Sequence, residues 1–227
     1  MTASSPSPEP ILAPLLLGLT VVTGLVDAVS YLALGHVFTA NMTGNVVFLG
    51  FAAAGGNGLS APRSGTAVVA FLLGAVIGGR MATGLSAGPR HRWTGVAFGA
   101  EAALLFAAMA LAIEPTRVYA VIALTGLAMG IRNATARRLA VPDLTTTVLT
   151  LTMTGLAADS RLAGGNNQGW ARRAASVVTM VGGAAIGGWL LRYSVALPLA
   201  LCSAVSGVCA VAAYYGMRPG GLEPPAS

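Results

Sequence analysis

The chain of 227 residues carries 13 basic side chains, all arginine, and 7 acidic ones, so charged residues make up 9% of it against roughly 25% in an ordinary soluble domain. That is too little charge to coat a water-soluble globule, and with 55% hydrophobic residues and a mean hydropathy of +0.75 the composition excludes a soluble enzyme and a disordered chain. The net charge of +6 does not point to nucleic acid, because the arginines are scattered between apolar blocks rather than gathered in one stripe; that placement suits the cytoplasmic face of a membrane.

Residues 1–10 form a polar tail with no basic residue, and no small-residue cleavage site follows, so the first apolar block reads as a retained helix rather than a cleaved signal. Apolar blocks then recur at 14–34, 38–54, 65–85, 94–113, 118–136, 144–158, 174–191 and 195–215. A spanning helix needs about 20 mostly apolar residues, and the second and sixth blocks are shorter and rich in Thr and Asn. Such runs suit protein-lined or broken segments. If all eight blocks cross, the arginines divide seven to six. If the second and sixth enter without crossing, ten of them (Arg80, Arg90, Arg92, Arg132, Arg137, Arg138, Arg161, Arg172, Arg173 and Arg218) share one side and Arg63, Arg117 and Arg192 the other. The positive-inside bias selects six crossings with cytoplasmic termini.

An internal repeat divides the chain into halves at 11–113 and 114–216, followed by a tail at 217–227. Gly24-Leu25-Val26-Asp27-Ala28 aligns with Gly130-Ile131-Arg132-Asn133-Ala134, Thr39 with Thr145, and Gly74-Ala75-Val76-Ile77-Gly78 with Gly183-Ala184-Ala185-Ile186-Gly187. Three crossings per half make the halves inverted. The expected fold is thus an all-α polytopic transmembrane bundle of six spanning helices, two short Thr/Asn-rich segments and an inverted two-fold repeat.

Asp27 lies well inside the first block, where a carboxylate must be paired, hydrated or protonated. It is a candidate for solute or proton binding, or for a charge pair with Arg132 that joins the halves; Glu101, inside the fourth block, is a second intramembrane carboxylate. Thr39, Asn41, Thr43 and Asn45 alternate along the second block, so a continuous helix would point them in several directions, whereas an unwound chain could aim side chains and freed carbonyls at a small ligand. Hydrogen bonding between helices is the plainer role for the same groups. Asn133 and the run Thr145, Thr146 and Thr147 are the corresponding groups of the second half. Gly74, Gly78, Gly183 and Gly187 form small-xxx-small pairs for close helix packing, within the chain or in a homo-oligomer. His36 reads as an interfacial helix-end residue and Asp143 as a helix cap, and Cys202 and Cys209, on one helical face, as packing thiols. No metal-ligand spacing and no nucleophile with a partner base is present, so the sequence predicts neither catalysis nor a cofactor.

The run Gly24-Leu25-Val26-Asp27-Ala28-Val29-Ser30-Tyr31-Leu32, followed by Gly35-His36-Val37-Phe38-Thr39-Ala40-Asn41-Met42-Thr43-Gly44-Asn45 and the later Gly130-to-Ala134 and Thr145-to-Thr147 elements, resembles the YoaK-like family of bacterial integral membrane proteins. The resemblance covers nearly the whole chain. It implies a small multispanning protein of the bacterial cytoplasmic membrane and brings no substrate with it. The second motif is looser here, because Thr150-Leu151 follows the Thr run and the Thr154-Gly155 pair comes only later. The function expected is secondary transport of a small polar solute or ion, driven by an ion gradient because the chain lacks lysine and with it a P-loop. The alternative is a membrane scaffold in which the same polar groups only join helices.

Overall fold

The computed structural model describes residues 11–56, 58–84, 89–140 and 149–217, and all regular structure among them is helical. Eight α-helices follow in order: α1 Leu12–Ala33, α2 Met42–Ala53, α3 Ala61–Gly84, α4 Arg90–Leu111, α5 Val118–Leu139, α6 Leu149–Ala158, α7 Trp170–Leu190 and α8 Ala196–Gly216. Five of them (α1, α3, α4, α5 and α8) are long and apolar enough to cross a membrane. Helix α7 has the length, 21 residues, but carries Arg172 and Arg173 in its first turn. Helices α2 and α6, of 12 and 10 residues, reach only about 18 and 15 Å at 1.5 Å per residue, well short of a hydrocarbon core of about 30 Å.

The surface is apolar where a soluble protein would be polar. Leu72, Leu73 and Val76 of α3, Val178 and Val181 of α7, and Val208 and Val211 of α8 are all exposed. The opposite face of α3 presents Gly74 and Gly78 to α5, so large side chains meet the solvent and small ones meet the neighbouring helix. That is the arrangement of a bundle dissolved in lipid, where helices gain by close backbone packing rather than by hiding large side chains.

The glycine contacts also set helix direction. On α1, Val21, Gly24 and Ala28 meet Gly183, Met180 and Ala184, and Gly187 of α7, so α1 and α7 run parallel. Helices α3 and α5 run parallel too: Ala67 meets Gly126, Phe71 and Gly74 meet Gly130, and Gly78 meets Ile131 and Ala134. Helix α8 is antiparallel to α4, with Tyr214 against Gly95 and Ser203 against Ala102. It is antiparallel to α1 as well, as Leu15 lies by Cys209 while Val22 and Val26 cluster with Cys202. Helix α5 opposes α1, with Ala136 and Leu139 by the start of α1 and Val121 and Ile122 by its end. Thus α1, α4 and α7 point one way and α3, α5 and α8 the other.

Helix α2 therefore lies between the end of α1 and the start of α3 on one side of the bundle, and α6 between the end of α5 and the start of α7 on the other. Each packs on the long helix that follows it, α2 on α3 and α6 on α7. The two short helices do not meet across the centre, contrary to the expectation that the Thr/Asn-rich segments face one another near the midplane. Residues Asp143, Thr145, Thr146 and Thr147 lie outside the described residues.

A methyl group at Gly130 would overlap the Phe71 carbonyl, and one at Gly183 the Val21 carbonyl, whereas Gly79 and Gly182 have open space in that direction. Gly130→Ala and Gly183→Ala are expected to destabilise the purified protein by about 1–3 kcal/mol, as overpacking does. Gly79→Ala and Gly182→Ala should leave its thermal unfolding midpoint in detergent unchanged.

Candidate functional site

Helix α1 ends because Gly35 takes a left-handed conformation (φ 92°) and the His36 N–H bonds back to the Tyr31 carbonyl at 3.1 Å, a Schellman closure. The chain then runs without helix from Gly35 to Asn41 before α2 begins. Val37, Thr39 and Ala40 of this segment are buried, so its backbone groups need partners from within the protein.

Three side chains supply them in order. Asn45 of α2 accepts from the Phe38 N–H at 3.0 Å and donates its amide to the Phe38 carbonyl. Ser30 accepts from the Thr39 N–H at 3.3 Å and donates to the Asp27 carbonyl at 3.3 Å. Asp27 accepts from the Ala40 N–H at 3.3 Å through Oδ1. Phe38 stacks between Tyr31 and Phe48, at centroid distances of 5.0 and 5.9 Å, and its ring occupies the space where Gly44 lacks a side chain. The long motif is thus a local device: Asp27 and Ser30, one turn apart on α1, and Asn45 on α2 hold three consecutive backbone N–H groups of a broken segment.

A second polar group lies along the bundle axis. Arg132 of α5 is fully buried and sits 3.5 Å from Oε1 of the equally buried Glu101 of α4. The same guanidinium donates to the Leu19 carbonyl of α1 at 2.7 Å and to the Met129 sulfur. Glu101 Oε1 also accepts from Ser206 of α8 at 2.9 Å. One ion pair thereby links α1, α4, α5 and α8. The Nε of Arg132 and Oε2 of Glu101 are left without a hydrogen-bond partner. Arg132 is also within electrostatic reach of Asp27.

The expected Asp27 to Arg132 pair is therefore not the direct one. Arg132 pairs with Glu101, and Asp27 holds the broken segment. Thr39 is buried with its hydroxyl unpartnered, while Asn41 and Thr43 are exposed. Asn133 is half-buried and donates to the Met129 carbonyl at 2.8 Å. Ser30 and Ser206 belong to these networks without having been singled out in the sequence. Ser30 could have been found from its spacing of three from Asp27, but nothing local marks Ser206. Both cysteines are buried on α8, and the Cys209 thiol donates to the Leu15 carbonyl at 3.8 Å. Among the described residues no three His, Cys, Asp or Glu side chains are grouped to hold a metal ion.

A family model described as a protein of unknown function, DUF1275, matches residues 15–212. The chain belongs to the DUF1275 family. It is 35% identical to the UPF0700 transmembrane protein YoaK of Bacillus subtilis (strain 168) over 146 residues, which are 62% of this chain and 64% of that relative, a little under two thirds of its length. No solved structure matches. The DUF1275 match takes in both networks, from Asp27 to Ser206, and the relative's description as a transmembrane protein agrees with the apolar exterior described above.

Asn45→Ala would strip two partly buried backbone groups of Phe38 of their partners. It is expected to lower stability by about 1–3 kcal/mol, the cost of leaving such groups unsatisfied. Thr43→Ala, at an exposed position, should stay within about 0.5 kcal/mol. Thermal unfolding of the two variants in the same detergent tests the difference.

Proposed function

We propose that this DUF1275 protein is a secondary transporter for a small polar solute or ion in the bacterial cytoplasmic membrane, with six crossings in two inverted halves. The helix directions support the topology. Helices α1, α3 and α4 alternate in one sense and α5, α7 and α8 in the opposite one, while α2 and α6 return to the side from which they start. The parallel pairs α1 with α7 and α3 with α5 make contact through Gly24, Gly183 and Gly187 and through Gly130, Gly74 and Gly78, the positions that correspond in the sequence repeat. The arginine distribution then puts both termini in the cytoplasm.

The observation that carries the functional reading is the broken segment 35–41 lying against a buried carboxylate. Irregular backbone at membrane depth is tolerated only inside protein or along a cavity, and in inverted-repeat transporters it marks the solute site. Because Asn45 and one oxygen of Asp27 are spent on the segment itself, the solute is met by Asn41, Thr43 and the Thr39 hydroxyl. Asp27 positions the segment. A scaffold would need the same lock but no solute, and the two readings separate on flux.

The protein reconstituted in proteoliposomes should give currents on a solid-supported membrane when challenged with a panel of small polar solutes under an ion gradient. Asn41→Ala, through a lost hydrogen bond to the solute, and Asp27→Asn, through a weakened hold on the segment, should each, when correctly inserted, reduce the responding current about tenfold or more. Currents unaffected by either variant, or absent with every solute, would leave the scaffold.

A further inference from the structure

We propose that the Asp27, Arg132 and Glu101 group is a binding site for one proton, carried on the Asp27 carboxyl. The charge count leads there. Two carboxyl groups and one guanidinium are buried inside spanning segments, the other arginines of those helices lying unburied near the helix ends, so with all three ionised the buried interior would hold one unbalanced negative charge in a medium that tolerates none.

The geometry chooses between the two carboxyl groups. Glu101 stands 3.5 Å from Arg132 and accepts from Ser206, two interactions that favour its anion, although Oε2 is bare. Asp27 has only the Ala40 N–H, and the guanidinium nearest to it is engaged with Glu101 and the Leu19 carbonyl. Asp27 also keeps a little exposure, 8%, whereas Arg132 and Glu101 are 0% exposed.

One further charge lies nearby: the Arg63 guanidinium of α3 stands against Gly35, at the far end of the broken segment from Ala40. From α7, Gly183, Ala184 and Gly187 pack on this stretch of α1, and α8 contributes the thiols Cys202 and Cys209 and the Ser206 hydroxyl. From α5, Asn133 is neutral and Arg132 is the cation; the broken segment contributes Thr39 and Ala40, and α4 contributes Glu101. His36 packs edge-on to Tyr31 beyond the last turn of α1.

The site makes chemical sense of the lock described above. When the proton leaves Asp27, Arg132 gains a second carboxylate to pair with, through an Nε that has no partner in this arrangement. Its movement would weaken the contact with Leu19 and alter the hold on Ala40. As the coupling step of a transporter this rests on the proposed function; as a proton site it does not, and the test reads the proton with no solute present.

Infrared spectra of the reconstituted full-length protein at neutral pH should contain a protonated carboxylic acid band. The band should shift on ¹³C-aspartate labelling and disappear in Asp27→Asn. It should also disappear in Glu101→Gln, where Asp27 is intact, because removing one carboxylate leaves Arg132 balanced by Asp27 alone. Absence of the band from the wild type, a shift with labelled glutamate instead of aspartate, or persistence of the band in Glu101→Gln would each overturn the proposal. The labelling arm needs no substitution and decides the matter if Glu101→Gln fails to fold. A positive spectrum with no solute current would retain the proton site and discard transport.

Discussion

A guanidinium in the middle of a lipid-exposed bundle is the constraint around which the other elements are arranged. The buried guanidinium of Arg132 is tolerated only with a counter-charge and hydrogen-bond acceptors close by. Glu101 supplies the charge, Leu19 a carbonyl and Met129 a sulfur, so α4, α1 and α5 must meet at this depth. Ser206 adds α8 through Glu101. Hydrophobic matching alone would not set that register, because lipid chains compete equally well for every Leu and Val on the surface. The glycine contacts of α1 with α7 and of α3 with α5 then attach the outer helices to this centre at backbone distance.

The second constraint is backbone accounting. A chain that leaves its helix at Gly35 and resumes one at Met42 has amide groups that must find partners other than a helix's own carbonyls. Asp27, Ser30 and Asn45 answer for Ala40, Thr39 and Phe38 one by one. This explains why the motif is so long: its members lie on both sides of the break, and each holds one backbone N–H of the segment. It also changes what a polar residue in a membrane segment signifies. Asn45 and Asp27 are first of all substitutes for a helix's own hydrogen bonds, and any ligand must be met by groups left over from that task.

The eight elements were legible because apolar block length and Gly/Thr/Asn interruptions are local properties. Helix α1 spans Leu12–Ala33 where the pattern gives 14–34, and α8 spans Ala196–Gly216 where it gives 195–215. Helices α4 and α7 start about four residues early, at Arg90 and Trp170, because long arginine side chains in a first turn can reach the interface while their stems stay with the helix. The glycines were legible as close contacts, since a missing side chain has few other uses at that spacing. Which carboxylate meets Arg132 was not legible. Asp27 and Glu101 are both single acids in apolar helices, and the choice depends on how α4 and α5 are rotated against α1. The placement of α2 on α3 and α6 on α7 is likewise a tertiary outcome that a Thr/Asn-rich composition does not encode.

The central claim is that the Arg132 and Glu101 pair holds the bundle together as a pair, and a double-mutant cycle tests it most directly. Arg132→Met would leave Glu101 as an uncompensated buried charge and should cost about 3–5 kcal/mol of stability in detergent-solubilised protein, and Glu101→Leu, which takes the adjacent counter-charge from Arg132 and leaves only Asp27, should cost a smaller part of that. The double variant, in which neither charge remains, should recover most of that loss. Additive losses in the double variant, or single variants as stable as the wild type, would contradict the account.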